Sequence, residues 1–274
     1  MADIVLTAGV RSNLLQLQKT SDLITSTQTK LATGKRVNSA LDNPINFFTA
    51  QGLSNRATDL SNLLDTMSTA FNTIQAANNG ITSITKLVQS AQALTSQALQ
   101  TSDATTRASL ATQFGDIRTQ IDQLAGDSGF NGINLLDSTN SPDLTVVLNE
   151  SGSSSVTVAA VDFTTGGDLA ITGAANNWAG DADITAASDD LTAALTTLRS
   201  QAQALGSNLS TVQIRQDFTK AMINTLQTGA DNLTLADTNE EGANLLALQT
   251  RQQLSITALS LASQASQAVL RLFQ

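Results

Sequence analysis

The feature that most constrains this chain is an apolar spacing of four and three, held over long stretches without breakers. Toward the end, Leu254, Ala258, Leu261, Ala265, Ala268 and Leu272 recur alternately four and three residues apart. On an α-helix this is one narrow stripe, the seam of a coiled coil. The opposite face holds Gln252, Gln253, Ser255, Ser263 and Gln267, almost without charge. A solitary solvated helix carries more Lys and Glu. Something must therefore cover this helix, and the other end of the chain offers a match. There Val10, Leu14, Leu17, Ile24 and Leu31 share one seam, although Ser21, Gln28 and Lys35 fall on the same count. The two ends are expected to pair, and these apolar residues are the expected pairing and polymer-contact positions.

The same spacing runs through the middle. Asp42-Asn43-Pro44 reads as a helix start, a short polar cap followed by Pro at the first helical position. Leu53, Ala57, Leu60, Leu64, Met67, Phe71 and Ile74 then keep the count, and Ile81, Ile84, Val88, Ala91 and Leu94 extend it past Gly80. A helix from Leu53 to Leu99 would be a rod of roughly 70 Å at 1.5 Å per residue. Asp103 caps a shorter helix with Leu110, Phe114, Ile117, Ile121 and Leu124, which Gly126–Gly132 ends. A second long run carries Leu191, Leu195, Leu198, Ala202, Leu205, Leu209, Val212, Ile223 and Leu226. A break is expected near Gly229, and the Thr238–Glu241 spacing suggests a capping box that restarts the last helix.

Between residues 139 and 183 the character changes. Leu144, Val146 and Leu148 alternate, then Val156 and Val158, with a polar turn between them. That reads as a β-hairpin, with Asp168–Thr172 as a further candidate strand. No Lys or Arg occurs between Arg118 and Arg199. The stretch is expected to be a small, exposed, acidic β insertion, with Trp178 more exposed than the Phe residues on the helical seams. The fold class is thus mainly α: a long antiparallel coiled-coil-like helical hairpin, its N- and C-terminal helices paired, with a small β-rich outer insertion. A hairpin this long leaves helix faces open along its length, which points to self-association.

Composition excludes much chemistry. The 274 residues hold 23 acidic and 14 basic side chains, a formal net charge of −9. No basic face for nucleic acid appears. With no His, the commonest catalytic base and metal ligand is missing, and with no Cys there is neither disulfide nor thiolate. A Ser-His-Asp triad is excluded. Gly34-Lys35-Arg36 lacks the rest of a phosphate loop. Asp181, Asp183, Asp189 and Asp190 are the densest acidic group, but Ala186 and Thr192 stand where a calcium loop needs Gly and Glu. Helix-start acids explain them better. No enzyme activity, cofactor or metal is expected. No apolar run approaches membrane-spanning length. Met1–Leu6 lacks the basic and apolar regions of a signal peptide, so composition alone points to the cytoplasm. Lys35, Arg36, Arg56, Asp42 and Asp59 lie near the bends and are candidates for pairs between subunits.

Two blocks carry a resemblance. Leu31-Ala32-Thr33-Gly34-Lys35-Arg36-Val37-Asn38-Ser39-Ala40-Leu41-Asp42 resembles the conserved N-terminal block of bacterial flagellins, and Gly129-Phe130-Asn131-Gly132-Ile133-Asn134 resembles their FNG block. The end from Arg251 to Phe273 is similar to their C-terminal helix, and Asp42–Phe48 resembles the alphaproteobacterial variant. The resemblance implies a structural subunit that polymerises with copies of itself into the flagellar filament. It implies a filament-core layer (D0) from residues 1–36 and 231–274. A second layer (D1) would comprise 37–138 and 184–230, and an outer part (D2-like) 139–183. It implies export through the flagellar type III apparatus without a cleaved signal, so an extracellular location replaces the cytoplasmic one. The filament cap and junction proteins are implied partners, with no nucleic acid and no membrane. The hook–filament junction protein, similar to flagellin at both ends, is the alternative. Thr82-Ser83-Ile84-Thr85-Lys86-Leu87 departs from the Q-R-x-R-E-L pattern of members sensed by the innate immune receptor.

Overall fold

The computed structural model describes residues 8–272. Among them are five α-helices: α1 (Ala8–Thr33), α2 (Pro44–Leu99), α3 (Ala104–Asp127), α4 (Asp181–Thr234) and α5 (Thr238–Leu272). Strands β1 (Leu144–Val147) and β2 (Ser155–Val158) form an antiparallel hairpin, with Leu144 opposite Val158 and Val146 opposite Val156. The architecture is the expected one, mainly α with a small β element. The chain divides into two compact units, residues 1–55 with 225–274, and residues 56–224.

In the unit built from the chain ends, α1 packs on α5. The Lys30 ammonium, near the end of α1, donates to Glu241 at the start of α5 at 3.1 Å, so the pair is antiparallel. Gly34, at φ +68°, closes α1 in the left-handed conformation that glycine adopts without steric cost. The chain then runs alongside the end of α4. Lys35 bridges Leu235, and the N–H groups of Arg36 and Val37 donate to the Thr234 carbonyl at 2.8 and 3.3 Å. The Arg36 guanidinium donates to the carbonyls of Asn232 and Leu233 at 3.3 and 3.4 Å. These are among the last carbonyls of a helix, which have no partner inside it and favour a cation. Arg36, a candidate for pairing between subunits, is therefore spent within its own chain. Asn43 Oδ1 accepts from the Asn46 N–H at 3.0 Å, the cap that the Asn43-Pro44 sequence suggests.

Two expectations in this unit are corrected. Helix α4 runs through Gly229 and stops only at Thr234. Intact helix hydrogen bonding outweighs the modest propensity cost of one glycine. At the start of α5 the capping side chain is Asp237, one residue before the expected box. Its Oδ1 accepts from Asn239 and Glu240 N–H at 2.8 and 3.3 Å.

In the second unit one core joins all its elements. Helix α2 contributes Met67, Ile74, Ile81, Ile84, Val88 and Ala91, and α3 contributes Leu110, Phe114 and Ile121. Helix α4 contributes Leu191, Leu198, Leu205 and Val212, each seven residues after the last. Gly80 sits where α2 is approached most closely; a Cβ there would lie 2.2 Å from Ser128 Oγ and 2.7 Å from Leu136 Cδ1. Asn131 and Gly132, at φ 50° and 81°, turn the chain between Phe130 and Ile133. Both central residues with positive φ is the conformation that Asn-Gly favours.

The stretch 139–183 is not the exposed, weakly apolar tip that its composition suggests. Leu144, Val146, Leu148, Val158, Phe163, Leu169, Ile171 and Trp178 are buried in the common core of this unit. Trp178 is 0% exposed and packs at a tilt against Phe114, ring centroids 5.0 Å apart and planes at 49°. No strand forms at Asp168–Thr172; hydrogen bonds to side chains hold that segment instead. Asp122 accepts from the Thr165 N–H and hydroxyl at 2.6 and 3.0 Å. Arg118 donates to the Ile171 carbonyl at 3.0 Å, and Asp190 accepts from the Thr172 N–H and hydroxyl at 3.1 and 2.6 Å. Asp122 and Asp190 are thus straps that tie this segment to α3 and α4.

Candidate assembly surface

The contact between α1 and α5 is polar at its centre. On α1 the covered face is Val10, Asn13, Leu17, Thr20, Ile24, Thr27 and Leu31. On α5 it is Glu241, Leu245, Leu248, Gln252, Ser255, Leu259 and Ala262, again four and three apart. Thr20 turns its hydroxyl back to the Gln16 carbonyl at 2.9 Å, so a polar residue sits in the seam with its donor satisfied.

The residues chosen from sequence divide accordingly. Val10, Leu17, Ile24 and Leu31 lie on the covered face of α1, and Leu14 lies outside it. Leu254, Ala258, Leu261, Ala265 and Ala268 are all turned to solvent, Leu254 with 66% and Leu261 with 61% of its surface exposed. The side chain of Leu272 lies outside the described residues. The α5 stripe does not meet α1, which corrects the pairing role given to it. The reason is that α5 carries two seams of the same period. The one against α1 includes Gln252 and Ser255, and a count of apolar residues passes it over for the other.

Large apolar side chains remain exposed on both helices. Leu14, Leu15 and Leu23 on α1, and Leu246, Leu254, Ile256 and Leu261 on α5, all show substantial surface. Exposed apolar surface of this extent marks a site of association. Other candidate residues have partners within the chain. Arg56 pairs with Glu150 at 2.6 Å, and this holds the Glu150 carboxyl below its usual pKa. Asp42 accepts from the N–H groups of Ser39 and Asn38, both at 2.9 Å, which lowers its carboxyl in the same way.

Buried Arg107 is a residue that periodicity passes over. It donates to the carbonyls of Ala98, Thr101 and Ala179 at 3.2, 2.7 and 3.3 Å, and to the carboxylate of Asp181. One guanidinium thus joins the α2–α3 turn to the start of α4. No group of His, Cys, Asp and Glu among the described residues is arranged to hold a metal ion. No described helix is long and apolar enough to cross a membrane.

Residues 7–141 match the bacterial flagellin N-terminal helical region, and residues 188–273 match the bacterial flagellin C-terminal helical region. The chain belongs to the flagellin family. This flagellin is 30% identical to flagellin FljK of Caulobacter vibrioides over 97% of both chains. It is 34% identical to flagellin FljM of the same organism, across 59% of this chain and 58% of that protein. With flagellin A of Rhizobium meliloti it shares 45% identity over 82 residues, 30% of this chain and 21% of that one. A Bacillus cereus flagellin structure aligns with TM-score 0.48 and 24% identity, over 58% of this chain and 88% of that one. This flagellin is a structural protein of the flagellar filament rather than an enzyme. The matches contain nothing that favours a hook–filament junction protein.

Proposed function

We propose that this flagellin builds the filament through the exposed faces of α1 and α5, which copies of the chain cover in turn. The observation that carries this is the second apolar seam of α5, turned to solvent while the first lies on α1. A helix pair with one seam covered and one open is a unit of a larger bundle. Its rim is mostly Gln, Ser and Thr, with few charges such as Lys19 and Asp22, so neighbours can pack closely while burying little unpaired charge. In this reading residues 1–36 and 231–274 form the filament core, and 37–138 with 184–230 form the next layer. Residues 139–183 are the outward part of that layer. The chain leaves the cell through the flagellar export apparatus without a cleaved signal and adds beneath the filament cap, with junction proteins at its base.

The test is a charge on the open seam. Leu254→Asp and Leu261→Asp change side chains that are mostly exposed in the single chain, so the monomer should keep its helical circular dichroism and lose little in melting temperature. Seeded assembly, followed by sedimentation and negative-stain electron microscopy, should yield filaments from the wild type and few or none from either variant. Normal filaments from both variants would remove the open α5 seam from the interface. Failure of the wild type to polymerise would remove the filament reading itself.

A further inference from the structure

At the start of α2 and just before it, Leu41, Ile45 and Phe48 stand four and three residues apart, with 96%, 78% and 64% of their surfaces exposed. They are among the most exposed large apolar side chains described. Phe47 meets the Phe48 ring edge-on, with centroids 5.5 Å apart. Gly52 continues the stripe one turn on, and a Cβ built there meets nothing within 4 Å, so another helix can approach closely. On α4, Ile214 and Phe218 form a second exposed apolar pair, four residues apart.

We propose that Leu41, Ile45 and Phe48 of one copy dock on Ile214 and Phe218 of a second copy. The proposal rests on the filament reading and names a contact within it. The occupant follows from symmetry and chemistry. A contact of like surface with like surface closes into a dimer, whereas a contact between unlike surfaces repeats without limit, as a filament requires. These are two unlike apolar patches on one self-associating chain. Their rims also differ in sign. Asp42 adjoins Leu41, whereas Arg215 adjoins Ile214 and has no acidic partner among the described residues. Nearby Asp217 and Lys220 answer each other at 3.7 Å.

The sequence contains no cysteine, so introduced thiols report only on themselves. Phe48→Cys and Phe218→Cys are polymerised separately and as an equal mixture, treated with a short bis-maleimide, and run on a denaturing gel. The proposal expects a cross-linked dimer from the mixture and none from either variant alone. Filaments from the mixture with no such dimer would overturn it and leave the filament reading standing. A dimer from one variant alone would show a like-with-like contact and would also overturn it. If loss of either ring prevents assembly, Thr49→Cys and Gln213→Cys, exposed beside the two patches, carry the same test with the same outcomes. Absence of filaments from the wild type would overturn the reading beneath both.

Discussion

At Gly80 two residue-level effects oppose each other. Replacing a helical Gly with Ala gains about 1 kcal/mol of propensity. Here the new methyl would lie 2.2 Å from Ser128 Oγ and 2.7 Å from Leu136 Cδ1, in a packed core. Overpacking of that kind costs about 1–3 kcal/mol. We expect Gly80→Ala to destabilise the protein by about 1 kcal/mol on balance, read as a lower urea midpoint with an unchanged slope. An increase in stability would mean that Ser128 moves aside freely. Trp178 is the second informative residue. Asn176, Asn177 and Trp178 all have positive φ, between 48° and 57°, conformations that cost of order 1–3 kcal/mol each outside glycine. The indole is buried against Phe114 with its N–H unpaired. Burial of so large a ring is what offsets the strained turn. The native emission should therefore be blue-shifted and resist iodide, and move to the red on unfolding. A red, readily quenched native spectrum would place the ring outside the core.

At the scale of elements, α1 and α5 differ from the helices of the second unit. Many seam positions of α2 and α4 are fully buried, whereas those of α5 are only half-buried and include Gln252 and Ser255. Burying an apolar side chain contributes roughly 1.5–3 kcal/mol, and ordering each residue costs about 1–2 kcal/mol. A seam half polar and half covered leaves little surplus. Amides of α1 and α5 should exchange quickly in the dilute monomer and slowly in the filament, while those of α2 near Ile81 stay protected in both. Equal protection of α5 in monomer and filament would show that the pair is stable without neighbours. The same contrast explains what the sequence discloses. The long helices are legible because their buried set repeats at seven, as Leu191, Leu198, Leu205 and Val212 do. The hairpin is legible because Leu144, Val146, Val156 and Val158 alternate. The α5 contact is not, since the seam against α1 is less apolar than the one beside it. Nor is the burial of residues 139–183. Its apolar residues, Phe163, Leu169, Ile171 and Trp178, follow no period, and Arg118, Asp122 and Asp190 hold the backbone from distant helices.

For the whole molecule, the absence of His removes the side chain that ordinarily titrates between about pH 5 and 8. Three described carboxylates have their ionisation coupled to the fold. Ser39 and Asn38 lower Asp42, Thr106 lowers Asp103, and Arg56 lowers Glu150, each through hydrogen bonds to the charged form. A carboxyl lowered in the folded state stabilises above its ordinary value and loses that contribution as pH falls through the folded value. Melting temperature should be nearly flat from about pH 5.5 to 8 and fall below about pH 4. A transition near pH 6.5 would contradict this. The antiparallel pairing of the chain ends has a different consequence. Lys30 meets Glu241 across 211 residues of sequence. Whichever end is delivered first must wait, unpaired, until nearly the whole polypeptide has followed it. On the assembly proposed above, joining the polymer would act as a test of length: a chain ending before α5 lacks the partner for its own beginning and should fail to enter a wild-type filament.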